Sequence, residues 1–231
     1  MSPVVDYSKV YVLVPVYNES ETILSVVQDL ARYNYSIVII DDGSTADIYS
    51  LVKHLPVYYL RHLVNLGQGA ALQTGIEFAL SKGAEYMVTF DGDGQHRADD
   101  VERLLMYLIS NDLDIILGSR FQEESYHNML SQRKYLLQLA RYLNFLFTGL
   151  LLSDAHNGLR VMKASAAKVL RITQNRMAHA TEIISAIRIH ALKYKEMPVQ
   201  VFYTPYTLQK GQNLWSGFRI IFDLLLNKIF G

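Results

Sequence analysis

The chain has no cysteine, which excludes a disulfide framework and any thiolate metal centre. It also has no apolar run long enough to cross a bilayer. Tyr142–Leu152 (YLNFLFTGLLL) and Phe218–Phe230 both fall short of the ~20 residues a spanning helix needs. The opening MSPVVDYSKV lacks a basic stretch followed by a long apolar one, so it reads as the start of a cytosolic protein rather than a signal peptide. A Walker loop is missing, because Gly67-Gln68-Gly69 is not followed by Gly-Lys-Ser/Thr. A dinucleotide fingerprint is missing too, since the first strand candidate ends in Pro15-Val16-Tyr17-Asn18-Glu19. These two absences weigh against an ordinary NTPase or dehydrogenase. There is no internal repeat and no low-complexity linker.

Net charge is absent as well, with 22 Lys/Arg against 22 Asp/Glu, but the balance hides an asymmetry. Residues 1–124 carry 8 basic and 18 acidic side chains, whereas residues 125–181 carry 8 basic and one acid, Asp154. The remaining tail carries 6 against 3. An acidic half suits a site that gathers a divalent cation, and a basic half suits phosphate groups or an anionic membrane surface. Two solvated faces of opposite sign are the alternative. Nucleic acid is not among the expected partners. At 231 residues, half of them hydrophobic, the chain fits one large domain with at most a short appendage.

The first half alternates β-rich runs with helical patterns. Strands are predicted at Val10–Val14, Ile37–Ile40, Val57–Leu60, Tyr86–Phe90 and Ile115–Leu117. Helices are predicted at Glu19–Tyr33, Gly69–Ser81 and Asp99–Ile109. Such alternation implies crossover units and a largely parallel α/β sheet flanked by helices. Further on, residues 131–152 read as one or two helices with a broad apolar surface. A strand at Leu159–Met162, helices at Ala164–Leu170 and His179–Leu192, and a last strand at Val199–Tyr203 follow. From Asn213 the tail reads as an amphipathic helix, giving a division into residues 1–212 and 213–231. Its wide apolar arc suits a membrane interface, with docking on a core or a partner as the alternative.

In an open parallel sheet, ligands bind beyond the carboxyl ends of the strands. Polar clusters stand at four of those ends: Pro15–Glu19, Asp41-Asp42-Gly43-Ser44, Asn65–Gly69 and Asp91-Gly92-Asp93-Gly94-Gln95-His96. Turn chemistry explains any one of them; four on one edge suggest a site. Asp91 and Asp93, alternate residues beside glycines, can converge on one hard cation. Mg²⁺ or Mn²⁺ prefers such oxygen ligands and leaves positions to water and phosphates.

The runs VLVPVYNESETI, VIIDDGSTAD, NLGQGAALQTGI, VTFDGDGQHRADDV and ILGSRF resemble family 2 glycosyltransferases of the GT-A, Rossmann-like type. The second half resembles their polyprenyl-phosphate branch, which includes dolichyl-phosphate mannose synthases and undecaprenyl-phosphate glycosyltransferases. The pieces that carry this are Gly118-Ser119-Arg120, Arg133, the run DAHNGLR from Asp154 to Arg160, and Lys210-Gly211-Gln212-Asn213.

This resemblance implies roles by position. Pro15, Tyr17, Glu19, Asp41 and Asp42, with Gly67 and Asp91, would form the nucleotide pocket. Asp91, Asp93 and Gln95 would hold Mg²⁺ or Mn²⁺ against the diphosphate. Arg120 and Arg133 would contact an acceptor phosphate, a surface ion pair being the alternative for Arg133. Asp93, Arg120 and Glu182 are the catalytic candidates, with Glu182 either orienting the sugar or serving as a buried polar cap. The implied activity is inverting transfer from a nucleotide sugar, UDP-linked more than GDP-mannose, to a polyprenyl phosphate in cell-envelope glycan assembly. The enzyme would sit on the inner face of the cell membrane, with a small integral membrane partner to anchor it. The alternatives are a family 2 enzyme acting on a polysaccharide or other hydroxyl, for which Asp93, Glu182 or Asp154 would serve as base, and a non-catalytic nucleotide-sugar-binding scaffold.

Overall fold

The computed structural model describes residues 5–121, 141–142, 145–146, 148–174 and 179–202. The order of elements is β1 (Val10–Val16), α1 (Ile23–Leu30), β2 (Ser36–Asp41), α2 (Ile48–Val52), β3 (Val57–Arg61), α3 (Gln68–Ser81), β4 (Tyr86–Thr89) and α4 (Ala98–Ser110). Then come β5 (Ile115–Ser119), β6 (Arg160–Lys163), α5 (Ala164–Val169), α6 (His179–Ile189) and β7 (Tyr194–Pro198). The strands form one seven-stranded sheet in the order β3-β2-β1-β4-β6-β5-β7. All pair in parallel except β6, which runs antiparallel between β4 and β5. The α/β, mostly parallel expectation is met.

The two faces of β1 show why the sheet is covered on both sides. Val10, Val12, Val14 and Val16 join a core with α1, α2 and α4, while Tyr11 and Leu13 join a second core with α3, α5 and α6. A strand buried on both faces reads as a continuous apolar run rather than an alternating one. That is the pattern of Val10–Val16, and of Ser36–Asp41 beside it. Because β1 is flanked by β2 on one side and β4 on the other, the chain reverses its direction of winding there. A crevice therefore opens at the carboxyl ends of β1 and β4.

Three expectations change. The last strand is Tyr194–Pro198, not Val199–Tyr203. As an edge strand it is half exposed, so its sequence YKEMP carries little hydrophobic signal. Residues 199–202 leave the sheet, although Val199 N still donates to Ser119 O at 3.0 Å. The helix predicted from Glu19 starts at Ile23 and ends in a 3₁₀ turn at Ala31–Tyr33. Its start is delayed because Thr22 Oγ1 donates to Gly92 O at 2.7 Å, tying that turn to the acidic loop. The short helix α2 was not anticipated. It begins at an Asp47 side chain that accepts from Ser50 N, as a helix N-cap does.

Arg133, the run Lys210–Asn213, the tail helix at 213–231, the boundary at residue 212 and residues 131–140 of the predicted apolar helices lie outside the described residues. Among the described residues, no helix is long and apolar enough to cross a membrane.

Candidate active site

The loop after β1 and the loop after β2 are clasped together. Asn18, at φ 57°, accepts through Oδ1 from Thr45 N at 2.9 Å, and its own N donates to Ser44 Oγ at 2.9 Å. Asp41 stands behind this clasp with its side chain fully enclosed. Its carboxylate accepts from Ser44 N at 2.8 Å and from the Tyr59 hydroxyl at 2.6 Å. Burial and that hydrogen bond to Asp41 push the Tyr59 hydroxyl pKa far up. Asp41 thus shapes the loop from within and does not face the crevice.

Asp42 is also buried. It accepts from Leu66 N at 2.9 Å, Gly67 N at 2.7 Å and His62 Nδ1 at 2.7 Å. His62 in turn reaches Thr74 Oγ1 through Nε2 at 2.9 Å. One carboxylate therefore fixes the loop that leads from β3 into α3. The two aspartates expected at the nucleotide pocket are both turned inward and hold the loops after β2 and β3. Beside them, Tyr17 is half exposed and Pro15 and Glu19 are partly exposed.

Asp91 follows β4 with a partly exposed carboxylate. Its Oδ1 accepts from Gln68 Nε2 at 2.9 Å, and its Oδ2 lies 4.0 Å from His96 Nε2. Asp93 Oδ1 accepts from Gln95 N at 3.0 Å, which curls the loop. The Gln95 backbone is held again where Phe202 N donates to its carbonyl at 2.9 Å. His96 is buried beside Phe90, and its Nδ1 has no hydrogen-bond partner. Burial pushes the imidazole pKa down, against the opposing pull of Asp91.

Under Asp91 runs the loop into β6. A β-carbon on Gly158 would overlap the Asp91 carboxylate. Thr89 Oγ1 donates to Gly158 O and so holds the two backbones together. Arg160, paired with Thr89 in the antiparallel register, is buried with its Nη1 unpartnered. Burial pushes its pKa down, and the charges of Asp91 and Asp154 offset this.

Arg120 does not stand free at the end of β5. Asp154 grips it through Nε at 2.6 Å and a terminal nitrogen at 2.8 Å, and also takes its backbone N at 3.1 Å. Burial works to raise the Asp154 pKa, but the Arg120 charge and hydrogen bonds outweigh it and hold the carboxyl below its usual range. Glu196 in β7 clamps the same loop, accepting from Ser153 N at 2.7 Å and Asp154 N at 3.0 Å.

Glu182 lies in the first turn of α6 and accepts from Thr173 N at 3.0 Å and Gln174 N at 2.8 Å. These contacts tie its carboxylate to the 173–174 turn.

Against this geometry, the model of the family described as "Glycosyl transferase family 2" matches residues 11–171. The chain belongs to that family. Relatives of this family 2 glycosyltransferase extend along its whole length. The UDP-N-acetylglucosamine–dolichyl-phosphate N-acetylglucosaminyltransferase of Methanococcus voltae is 32% identical, covering 95% of this chain and 96% of the relative. An uncharacterised protein of Methanocaldococcus jannaschii is 34% identical over 98% of this chain and 95% of its own length. The dodecaprenyl-phosphate galacturonate synthase of Rhizobium johnstonii is 26% identical over 92% of this chain and 64% of that protein. Glucosyl-3-phosphoglycerate synthase of Mycobacterium tuberculosis, solved with Mn²⁺, UDP and glucosyl-3-phosphoglycerate, shares the GT-A fold. It has a TM-score of 0.67 at 16% identity, over 94% of this chain and 78% of that one.

The donor set of this glycosyltransferase suits a hard divalent ion. Asp91 and Asp93 offer carboxylate oxygens on one short loop, and Asp91 is open on one side. Among the described residues, no three His, Asp or Glu side chains converge as a closed cage. The remaining positions would fall to a diphosphate and water, a common arrangement for Mg²⁺.

The Gly158→Ala substitution tests the packing under Asp91. The added methyl group must displace the carboxylate, and ångström-scale misplacement at a reacting site can cost about a hundredfold. We expect turnover to fall by roughly that factor while the far-UV circular dichroism stays the same. Normal turnover in this variant would show that Asp91 tolerates displacement and is not held for chemistry.

Proposed function

We propose that this glycosyltransferase moves a hexose or N-acetylhexosamine, with inversion, from a UDP-linked donor to a polyprenyl phosphate, assisted by Mg²⁺ or Mn²⁺. What carries the reading is how the site's acids are used. A hydroxyl acceptor needs a base, yet two of the three candidates are committed elsewhere. Asp154 is locked to Arg120, and Glu182 is spent on the 173–174 turn. A phosphate monoester acceptor needs no base, because its second pKa of about 6 leaves it ionised near neutrality. The Methanococcus voltae relative, named for transfer from UDP-N-acetylglucosamine to dolichyl phosphate, supports both the donor and the acceptor class.

In this reading Pro15, Tyr17 and Glu19 bind the nucleoside on the frame set by Asp41 and Asp42. Asp91 and Asp93, with Gln95, would hold the metal. A divalent ion there supplies Lewis-acid charge for the departing diphosphate. Arg133 orients the acceptor phosphate, for which a guanidinium fork is well shaped, while Arg120, gripped by Asp154, fixes the loop at the end of β5. An α-linked donor then gives a β-linked lipid product, with positioning and charge supplying the catalysis. The enzyme works at the inner face of the cell membrane, in contact with the lipid surface and a small membrane-embedded partner.

The test is an incubation with Mn²⁺ or Mg²⁺, a polyprenyl phosphate and a panel of labelled nucleotide sugars. Label entering the organic phase in acid-labile form is the expected result. Transfer only to a sugar or protein hydroxyl would overturn the acceptor assignment.

A further inference from the structure

The start of α3 is held from two sides by carboxylates that sit away from the reacting groups. On one side, Asp42 takes Leu66 N and Gly67 N. On the other, Glu182 takes the backbone N–H groups of Thr173 and Gln174 and the Thr173 hydroxyl. The turn so fixed lies directly on α3. A β-carbon at Gly69 would overlap the Gln174 carbonyl oxygen and come within 3.0 Å of His179 Cβ. Ile172 N also donates to Gln73 Oε1, one turn further along α3, at 3.0 Å. The residue between these clamps is Gln68, whose side-chain amide donates to Asp91 Oδ1.

We propose that Glu182 is a positioning residue: through the 172–174 turn it seats the first turn of α3 so that Gln68 aims the Asp91 carboxylate at the metal–diphosphate. The proposal rests on the function given above and deepens it, replacing a direct contact between Glu182 and the sugar with a relay. Three donors converge on the two oxygens of Glu182. Glutamine offers only one acceptor oxygen and presents an amide to groups that also donate. Glu182→Gln therefore loosens the turn with almost no change of volume. Gln68 is half-buried at a helix start, so Gln68→Ala removes the last link while sparing the core.

The measurement is Mn²⁺ binding by the full chain in the presence of UDP, with GDP in parallel, read from the free-ion electron paramagnetic resonance signal. Glu182→Gln and Gln68→Ala are each expected to weaken binding about tenfold, the scale of one well-placed hydrogen bond to a charged group. The double variant is expected to do no worse than either single one, because both act on one relay. Gly69→Ala leaves Glu182 intact but pushes the same turn away, and should reproduce the loss. A double variant showing the product of the two single losses overturns the relay. So does Glu182→Gln, or a folded Gly69→Ala, that binds like the wild type. If the wild type itself binds neither Mn²⁺·UDP nor Mn²⁺·GDP, the proposed function falls together with this inference; failure of the variants alone overturns only the inference.

Discussion

The Asp91→Asn variant is expected to lose at least about a thousandfold in turnover, since Lewis-acid charge on a leaving group contributes several kcal/mol to the barrier. Asparagine keeps the shape and an oxygen for Gln68 Nε2, so the start of α3 stays seated. What disappears is the negative charge on a carboxylate that is held by Gln68 and partly exposed. Asp93→Asn should behave in the same way, because its side chain can still accept from Gln95 N. The fold should survive both changes, with melting temperatures within roughly 4 °C of the wild type, the scale of about one kcal/mol. The small drop expected for Asp91→Asn comes from Arg160, which keeps Asp154 as its remaining counter-charge. Single-turnover assays with a labelled donor, beside thermal melts, separate the two effects. Wild-type rates in both variants would sink the metal site.

The acidic loop was legible in the sequence because its pieces are contiguous and follow a strongly apolar strand. The same holds for Pro15–Glu19 and Asp41–Ser44, where position at a strand end carried the inference. What position alone does not show is which carboxylates face solvent. Asp41 and Asp42 stand at the mouth of the sheet by sequence, yet both turn inward to satisfy backbone and hydroxyl donors. A buried carboxylate must find such partners, and nothing in the local run names Tyr59 or Gly67. Gln68 was read only as part of a glycine turn, because its contact with Asp91 spans 23 residues.

The same limit explains β7 and its Glu196. An edge strand with a single buried side chain is a weak signal, so the strand was placed five residues late and the clamp on Ser153 and Asp154 went unseen. Gly158 did appear in the DAHNGLR run, but its reason, the Asp91 carboxylate lying on it, becomes visible only in three dimensions.

The Arg120–Asp154 pair carries the largest expected effect on stability. Sequence reading named both residues 34 positions apart and gave them separate tasks, whereas the fold joins them. Both side chains are largely withdrawn from solvent, at 12% and 2% exposure. A buried ion pair adds little net stability over a well-packed apolar pair, but removing one member leaves an uncompensated charge and costs about 3–5 kcal/mol. Asp154→Ala is therefore expected to lower the melting temperature by roughly 6–20 °C at pH 7, given about 2–4 °C per kcal/mol for a chain of this size.

The loss should depend on pH in a defined direction. The folded state holds the Asp154 pKa below that of the unfolded chain. Its contribution is thus complete above the ordinary carboxylate pKa of about 3.9 and disappears as pH falls through the lower, folded value. The gap between wild type and variant should be widest near neutrality and close in strong acid. Adding Arg120→Ala to Asp154→Ala should cost less than the sum of the two single changes, because the orphaned guanidinium is removed with its partner. Melts of the four proteins across that pH range decide the matter. A variant that melts within about 2 °C of wild type at pH 7 would mean that the Arg120 guanidinium finds solvent without Asp154, and that this end of β5 is open rather than enclosed.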